Sequence, residues 1–293
     1  MKDNIYIFGA GPIGCEYYNI LTVLGYKPLL LTNSIETKDK LSNNFNIKRF
    51  ADLKKRIFNS TVIIALPTMV YPKVLKDFNI QESNLFIEKP AIYNLNDYKN
   101  IEYLSKNNYV GVCLNRRFYK SLKYILDYNK KSKPLRILID YHERINFLPK
   151  KFSQFDKDNW IKQNGIHVFD YIELLFGNLN IKNIRNETGN KNFFTSIGDF
   201  GNIPYYLNAS FDSFSSFKIE IQYNDSSIHL NPIEKLIHKS KSGSKTIEED
   251  NKHKPGFESM VIDISKGNLD YFANLKNILE LQKKLQRYEN ARL

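Results

Sequence analysis

The sequence predicts an α/β protein: a doubly wound parallel sheet followed by an α+β domain with an open, mostly antiparallel sheet. Three observations predict it. Short, continuous apolar runs alternate with helical periods over the first hundred or so residues. A glycine-rich turn, Gly9-Ala10-Gly11-Pro12-Ile13-Gly14, lies between the first apolar run and the first helical period. After about Arg117 the pattern becomes mostly β. Continuous apolar strands separated by helices are buried on both faces, as in a parallel sheet. At 293 residues the chain has room for two ordinary domains. The expected division is a Rossmann domain over 1–117 and an α+β domain over 118–293.

Each element follows from its local pattern. Asn4–Phe8 reads as a buried strand, and Pro12–Leu24 as a helix with Ile13, Tyr17, Ile20, Leu21 and Leu24 on one stripe, stopped at Gly25. Pro28–Thr32 and Val62–Leu66 read as the next strands, the latter closed by Pro67. Leu85–Ile87 and Tyr109–Leu114 complete the set, with helical patterns at Tyr71–Phe78 and Leu95–Lys106. Beyond them, Leu135–His142 reads as a longer strand, and Gly165–Phe176 as a helix ended by Gly177. Between about Ile181 and Leu230 the strands are Phe193–Ile197, Tyr205–Phe211, Phe217–Tyr223 and Ser227–Leu230. The polar stretch His238–Lys254 reads as an exposed loop, and Tyr271–Tyr288 as an amphipathic C-terminal helix.

Composition excludes several classes. The 42% hydrophobic and 14% aromatic content is enough for a substantial core. The charge of +12 comes from 43 Lys+Arg against 31 Asp+Glu, but the lysines are scattered and form no block. That argues against nucleic acid as a partner and leaves a mild attraction for anionic small molecules. No run approaches the ~20 apolar residues of a membrane span, and no leader precedes the first strand. A cytoplasmic protein is expected. The two cysteines, Cys15 and Cys113, have no partner at metal spacing, and the histidines none either, so no metal is expected.

The glycine turn carries the first chemistry. Gly9 permits a tight turn, Gly11 lets backbone approach a pyrophosphate, and Gly14 lets helix and strand pack closely, with the helix N-terminus facing the negative charge. A nicotinamide dinucleotide, NAD(P), is the expected cofactor. Its ribose is read at the end of the second strand, where an acid favours NAD. There Thr32, Asn33 and Ser34 stand, with Lys38 and Lys40 nearby and Glu36 a little late, which leans toward NADP. Asn and Ser also serve an unphosphorylated ribose.

Four stretches, in order, resemble the glucose–fructose oxidoreductase / inositol dehydrogenase (Gfo/Idh/MocA) superfamily. They are the glycine turn; Ala65-Leu66-Pro67-Thr68 with Tyr71; Glu88-Lys89-Pro90 followed by Asn115-Arg116-Arg117-Phe118; and Gly165-Ile166-His167-Val168-Phe169-Asp170. The last two are similar to the family's Glu-Lys-Pro and Gly-x-His-x-x-Asp. The resemblance reaches residue 177 and rests on layout beyond it. It implies an enzyme acting on CH–OH groups: hydride transfer to or from a secondary alcohol or ketone of a sugar-like substrate, with a nucleotide-activated sugar in surface-glycan biosynthesis as the preferred expectation. Lys89 and His167 would be the catalytic residues. Lys89, at a strand end, can donate to the reacting oxygen; His167 can exchange a proton near neutral pH.

The same resemblance places Ile13, Pro12, Leu66, Pro67, Thr68, Tyr71, Glu88, Asn115 and Arg116 around the cofactor, and Gln163, Asn164 and Asp170 around the substrate. Tyr71 reads equally well as a core aromatic, and Asp170 as an ordinary first-turn acid. Many family members have Asp four residues before the histidine, where this chain has Gln163; an amide hydrogen-bonds a hydroxyl but takes no proton. That departure keeps a catalytically silent dinucleotide-binding sensor or co-regulator open. A biliverdin-reductase-like enzyme is a further alternative. A homodimer or homotetramer is implied by the family's habit of associating through its C-terminal sheets.

Overall fold

The computed structural model of the protein describes residues 4–149, 152–186, 192–215 and 217–292. It divides into two compact units, Met1–Leu114 with Phe257–Leu279, and Asn115–Gly256 with Glu280–Leu293. The first unit opens with β1 (Asn4–Phe8), α1 (Pro12–Val23), β2 (Leu29–Thr32), α2 (Ile35–Leu41) and β3 (Ile47–Arg49). It continues through β4 (Arg56–Phe58), β5 (Ser60–Ile64), α3 (Tyr71–Leu75), β6 (Asn79–Gln81), β7 (Asn84–Glu88), α4 (Leu95–Ile101) and β8 (Tyr109–Cys113). One parallel sheet runs β3-β2-β1-β5-β7-β8, and β4 and β6 pair as a separate parallel ribbon. Winding reverses between β1 and β5, so a crevice is expected above their carboxyl ends. Val62, Ile63 and Ile64 of β5 and Leu85, Phe86 and Ile87 of β7 are all buried, as strands covered on both faces must be. The sequence left α2 and β3 unassigned. α2 buries no side chain and β3 only Ile47, so neither writes an apolar period.

The second unit begins with α5 (Lys120–Asn129), β9 (Arg136–His142), α6 (Gln154–Asp158) and α7 (Ile166–Phe176). Seven strands follow: β10 (Leu179–Arg185), β11 (Phe193–Phe200), β12 (Ile203–Ser210), β13 (Lys218–Gln222), β14 (Ser226–Leu230), β15 (Lys235–Ser240) and β16 (Gly243–Glu248). With β9 they form one sheet in the order β10-β11-β12-β9-β13-β14-β15-β16. Only the β9–β12 pairing is parallel. Ile137, Ile139 and Tyr141 of β9 and Tyr205, Leu207 and Ala209 of β12 point to the core, alternating with more exposed residues.

One expectation fails here. His238–Lys254 is largely the β15–β16 hairpin, with Leu236 opposite Ile247, rather than a loop. β16 is an edge strand with almost every side chain exposed, so a polar sequence costs it nothing and protects it from pairing with other chains.

The chain then returns to the first unit through α8 (Phe257–Lys266). Phe257 packs on Tyr17 of α1 with ring centroids 4.6 Å apart, and Phe272 on Phe86 of β7 at 4.7 Å. The Val112 N–H donates to the Ala273 carbonyl at 2.8 Å, covering part of the open edge of β8. Gly111 has no room for a side chain there, since a Cβ would lie 2.8 Å from that of Phe272. The compact units thus differ from a simple division into 1–117 and 118–293, since Phe257–Leu279 groups with the first unit. The apolar face of α8, with Phe257, Met260, Val261 and Ile264, finds its cover on an element from the other end of the sequence, which no local pattern reveals. α9 (Leu275–Arg292) closes the chain, a few residues later than the expected Tyr271–Tyr288. No helix among the described residues is long and apolar enough to cross a membrane.

This return makes a prediction. Burying the four apolar α8 residues contributes roughly 6–12 kcal/mol, comparable with the whole stability of a domain. A fragment of residues 1–117 should show no cooperative thermal transition by circular dichroism, and joining 257–279 to it should restore one. A sharp melt of the bare fragment would contradict the assignment.

Candidate functional site

Within the first unit, the expected cofactor residues gather at the carboxyl edge of the parallel sheet. Gly9 adopts φ +117°, and a Cβ on it would lie 2.5 Å from the Ala65 carbonyl oxygen. A Cβ on Gly14 would lie 1.8 Å from the Gly9 carbonyl oxygen. Both positions demand glycine. The Gly9 N–H is fixed on the Leu31 carbonyl at 2.9 Å, and the Ala65 N–H on that of Phe8 at 2.8 Å, so the ends of β1, β2 and β5 are tied together. Gly11 is different: a Cβ there would meet nothing within 4 Å, and its backbone faces open space. It caps α1, with Pro12 at the first position and no acid in the first turn to neutralise the helix end. Ile13 lies in the same turn. This cradle fits a pyrophosphate.

At the end of β2, Thr32 is buried and its Oγ1 accepts from the Ser34 N–H at 3.2 Å. Asn33 is exposed. Ser34 caps α2, accepting from the Thr37 N–H at 3.0 Å and donating to Glu36 Oε2 at 2.7 Å. That bond holds the Glu36 carboxyl below its ordinary value, and keeps a negative charge at the strand end. Glu36 itself lies in the first turn of α2, exposed and tied to its cap.

Leu66, Pro67 and Thr68 follow β5, and Glu88 and Lys89 end β7 at the same edge. The Lys89–Pro90 peptide is cis. Two buried tyrosines brace this segment from either side. Tyr17 donates to Glu88 Oε1 at 2.6 Å, and Tyr71 to the Ala91 carbonyl at 2.5 Å. Burial, then Cys113 and Glu88, push the Tyr17 hydroxyl well up, so it stays a donor. Burial does the same for Tyr71. Tyr71 is thus a core strut whose hydroxyl is committed to the Glu-Lys-Pro segment. Tyr17, which periodicity assigned only to the helix stripe, turns out to hold Glu88.

The remaining residues lie in the second unit, mostly before and within α7. A π-helical turn, Ile161–Gly165, runs straight into α7. Such turns are rare and cluster at functional sites. The structure brings together Gln163, Asn164 and His167 on these consecutive turns; His167 is buried. Gln163 Nε2 donates to Asp156 Oδ1 at 3.1 Å, and Asn164 Nδ2 to Glu143 Oε1 at 2.7 Å. Asp170 grips Arg117 through two bonds of 2.7 and 2.6 Å, nearly sealed from solvent. Its carboxylate anchors the segment after β8 to α7, the use that bidentate geometry favours. Asn115 is also committed, donating to the Pro255 carbonyl at 2.7 Å. Arg116 stands beside Tyr119, whose hydroxyl burial pushes up to about 12 against the opposing pull of that guanidinium.

One set of residues here went unread in the sequence. Glu289 on α9, fully buried, accepts the Ile161 N–H at 2.6 Å and the Lys162 N–H at 3.2 Å, and pairs with Arg292 at 3.1 Å. Gln282 donates to the Lys162 carbonyl and Lys162 to Gln286. Polar residues at 282, 286 and 289 form a stripe that holds the start of the π-turn. The expected amphipathic helix over Tyr271–Tyr288 singled out none of them and stopped short of Glu289.

At the level of sequence, no family model and no curated protein matches the chain. Structure is more telling. The two units have the fold seen in solved oxidoreductases of the Gfo/Idh/MocA type. The UDP-N-acetylglucosamine 3-dehydrogenase GnnA from Acidithiobacillus ferrooxidans superposes with a TM-score of 0.70 at 12% identity, over 100% of each chain. Levoglucosan dehydrogenase, solved with NADH and L-sorbose, gives 0.71 at 13% identity, over 99% of this chain and 97% of that one. A super-repressor mutant of Gal80p from Saccharomyces cerevisiae gives 0.74 at 12%, over 100% and 96%. At such identities the likeness establishes the fold.

Glu289 yields the prediction of this site. Burial outweighs Arg292 and the two backbone donors, and pushes its carboxyl up to about 7 from an ordinary 4.5. The folded state then binds more protons than the unfolded state between those values, so stability falls as pH rises through the window. The fall is on the order of 3 kcal/mol. Glu289→Gln keeps an acceptor for both N–H groups and should flatten this slope in urea titrations at pH 4.5, 6 and 7.5. An unaltered slope would rule out the raised value.

Proposed function

We propose that the protein is a nicotinamide-dinucleotide-dependent oxidoreductase acting on a secondary alcohol or ketone of a sugar-like substrate. A nucleotide-activated sugar of surface-glycan assembly is the favoured substrate class. One observation carries the reading: the open Gly11 cradle and Lys89 share the carboxyl edge of one parallel sheet, with Lys89 held between the Tyr17 and Tyr71 braces. Gly9, Gly11 and Gly14 with Pro12 would hold the pyrophosphate. Bound there, a nicotinamide supplies a C4 position that accepts or returns hydride. Lys89 would donate to the reacting oxygen and stabilise its developing negative charge, while His167 would exchange the hydroxyl proton. Asn164 is available to orient hydroxyls beside it. The solved neighbours that act on UDP-N-acetylglucosamine or bind L-sorbose support a sugar. Exposed Ile197 and Tyr206, paired across β11 and β12, support self-association through the open sheet face.

A second reading is a dinucleotide-binding sensor without turnover. It is favoured by Gln163, tied to Asp156 instead of serving as a base, and by the likeness to a repressor. Cofactor binding without reduction by any sugar would select it.

Between the two dinucleotides, the Glu36 charge at the end of β2 favours NAD, against the NADP leaning of Thr32-Asn33-Ser34. A 2′-phosphate would meet that charge. NAD should bind about tenfold or more tighter than NADP, and Glu36→Gln should narrow the ratio, as titration calorimetry can check. For the reaction itself, Lys89→Met should lower kcat by about 100-fold or more while the Kd for NADH stays within about twofold. Full turnover by that variant would exclude the mechanism.

A further inference from the structure

We infer that Glu289 is a positioning residue for the His167 side of the site, because it holds the helix break from which the π-turn starts. This role rests on the oxidoreductase reading above and extends it to α9, which has no part in that reading. In an unbroken helix the Ile161 and Lys162 N–H groups would donate to the Lys157 and Asp158 carbonyls, four residues back. Here both donate to Glu289 Oε1, at 2.6 and 3.2 Å. The Lys157 carbonyl accepts from Arg292 Nη2. Glu289 and Arg292 pair with each other at 3.1 Å. One ion pair of α9 thus meets both sides of the break: its acid takes the amides that open the π-turn, and its base takes a carbonyl that ends α6.

The neighbours of the pair serve the same segment. Gln282 Nε2 donates to the Lys162 carbonyl at 3.0 Å, and the buried Lys162 Nζ to Gln286 Oε1 at 2.7 Å. The Arg292 guanidinium lies over the Phe211 ring at 5.0 Å. A stripe that had only to cover the turn would be apolar, since burying a charge is costly unless it is paired and hydrogen-bonded. From the turn the hold passes to the site along continuous backbone. Gln163 and Asn164 lie within the π-turn, and α7 follows directly with His167 at its second position. A π-turn inserts one residue into the helix, and each residue is about 100° of rotation. Relaxation of the turn into regular α-helix would therefore rotate Gln163 and Asn164 relative to His167 by about that angle.

The hold carries a pH signature. The charged and titratable groups around Glu289 are Arg292 of α9, Lys162 of the π-turn, whose ammonium is held by Gln286, and Tyr141 of β9. Tyr141 keeps its proton, because burial and then Glu143 and Glu289 push its hydroxyl well up. Burial pushes the Glu289 carboxyl up to about 7, from 4.5 when it is free in water. The closed turn therefore binds a proton that an opened, solvated Glu289 gives up between those values. The hold is tightest at low pH and weakens as pH rises through the window.

The test uses the full chain and two variants: Glu289→Leu, which removes both acceptors, and Glu289→Gln, which keeps one oxygen for the two N–H groups. Hydrogen exchange is read by mass spectrometry. At pH 6 the segment 157–166 should exchange about tenfold or more faster in Glu289→Leu than in the wild type, and within about threefold of it in Glu289→Gln. Between pH 6 and pH 8 the opening of the wild-type segment should grow about tenfold beyond the intrinsic rise in exchange, whereas that of Glu289→Gln should stay flat. With NAD and a panel of free and UDP-linked sugars, Glu289→Leu should lose about tenfold or more in kcat, with sugar KM within about threefold and NADH Kd within about twofold. Glu289→Gln should bring kcat back to within about threefold at pH 6. A merely stabilising residue would lower Tm and leave the kcat of the folded enzyme alone. Unaltered exchange in Glu289→Leu overturns the hold; should that variant not fold, a wild-type pH response equal to that of Glu289→Gln does so. Wild-type kcat in a folded Glu289→Leu overturns the positioning role alone. A wild-type chain that binds NADH but turns over no sugar of the panel overturns the proposed function and the positioning role together, while the exchange measurement still decides the hold.

Discussion

The first unit depends on one close approach. The Gly9 carbonyl sits where a Gly14 side chain would be, and the Ala65 carbonyl where a Gly9 side chain would be. Three backbones meet with no side chain between them. That contact sets the angle at which α1 leaves β1, and it leaves the Gly11 backbone facing outward at the end of the helix. The positive end of α1 is then aimed over the crevice where the winding of the sheet reverses, and nothing in its first turn cancels it. Any residue larger than glycine at either position would move the helix, and the cradle with it.

The candidate positions are held by buried hydrogen-bond braces. Tyr17 and Tyr71 fasten either end of the Glu88–Ala91 segment, and both stay protonated because burial makes a phenolate too costly. In the second unit, Glu289 fastens the backbone of the π-turn and Arg117 fastens α7 through Asp170. Each brace joins residues far apart in sequence by a hydrogen bond that burial shields from water. Such braces narrow the conformations open to the Glu88–Ala91 segment and to the π-turn.

Most of the first unit was legible because its strands are apolar on both faces and its helices carry a stripe. The glycine turn was legible for the same reason that it works, since backbone crowding admits one residue type. Segments that bury little were not: α2, β3 and the β15–β16 hairpin lie where polar residues cost nothing, so their periods are erased. The candidate site divides along similar lines. Residues at strand ends and helix starts could be placed from pattern. Whether a given side chain faces a ligand or is already committed could not, and Tyr71, Asn115 and Asp170 proved committed to Ala91, Pro255 and Arg117.

By itself, then, the sequence determined the fold class of each half, the glycine turn at the start of α1, and the positions of Lys89 and His167 on their elements. These are local matters of period, turn geometry and residue chemistry. Tertiary structure alone decided that α8 belongs with α1, that α9 presents polar groups to the π-turn, and that Glu143 meets Asn164. Each of these joins segments whose local patterns say nothing about one another. A hydrogen bond or a buried contact between distant segments is selected by the closure of the whole chain, and it leaves no period to read.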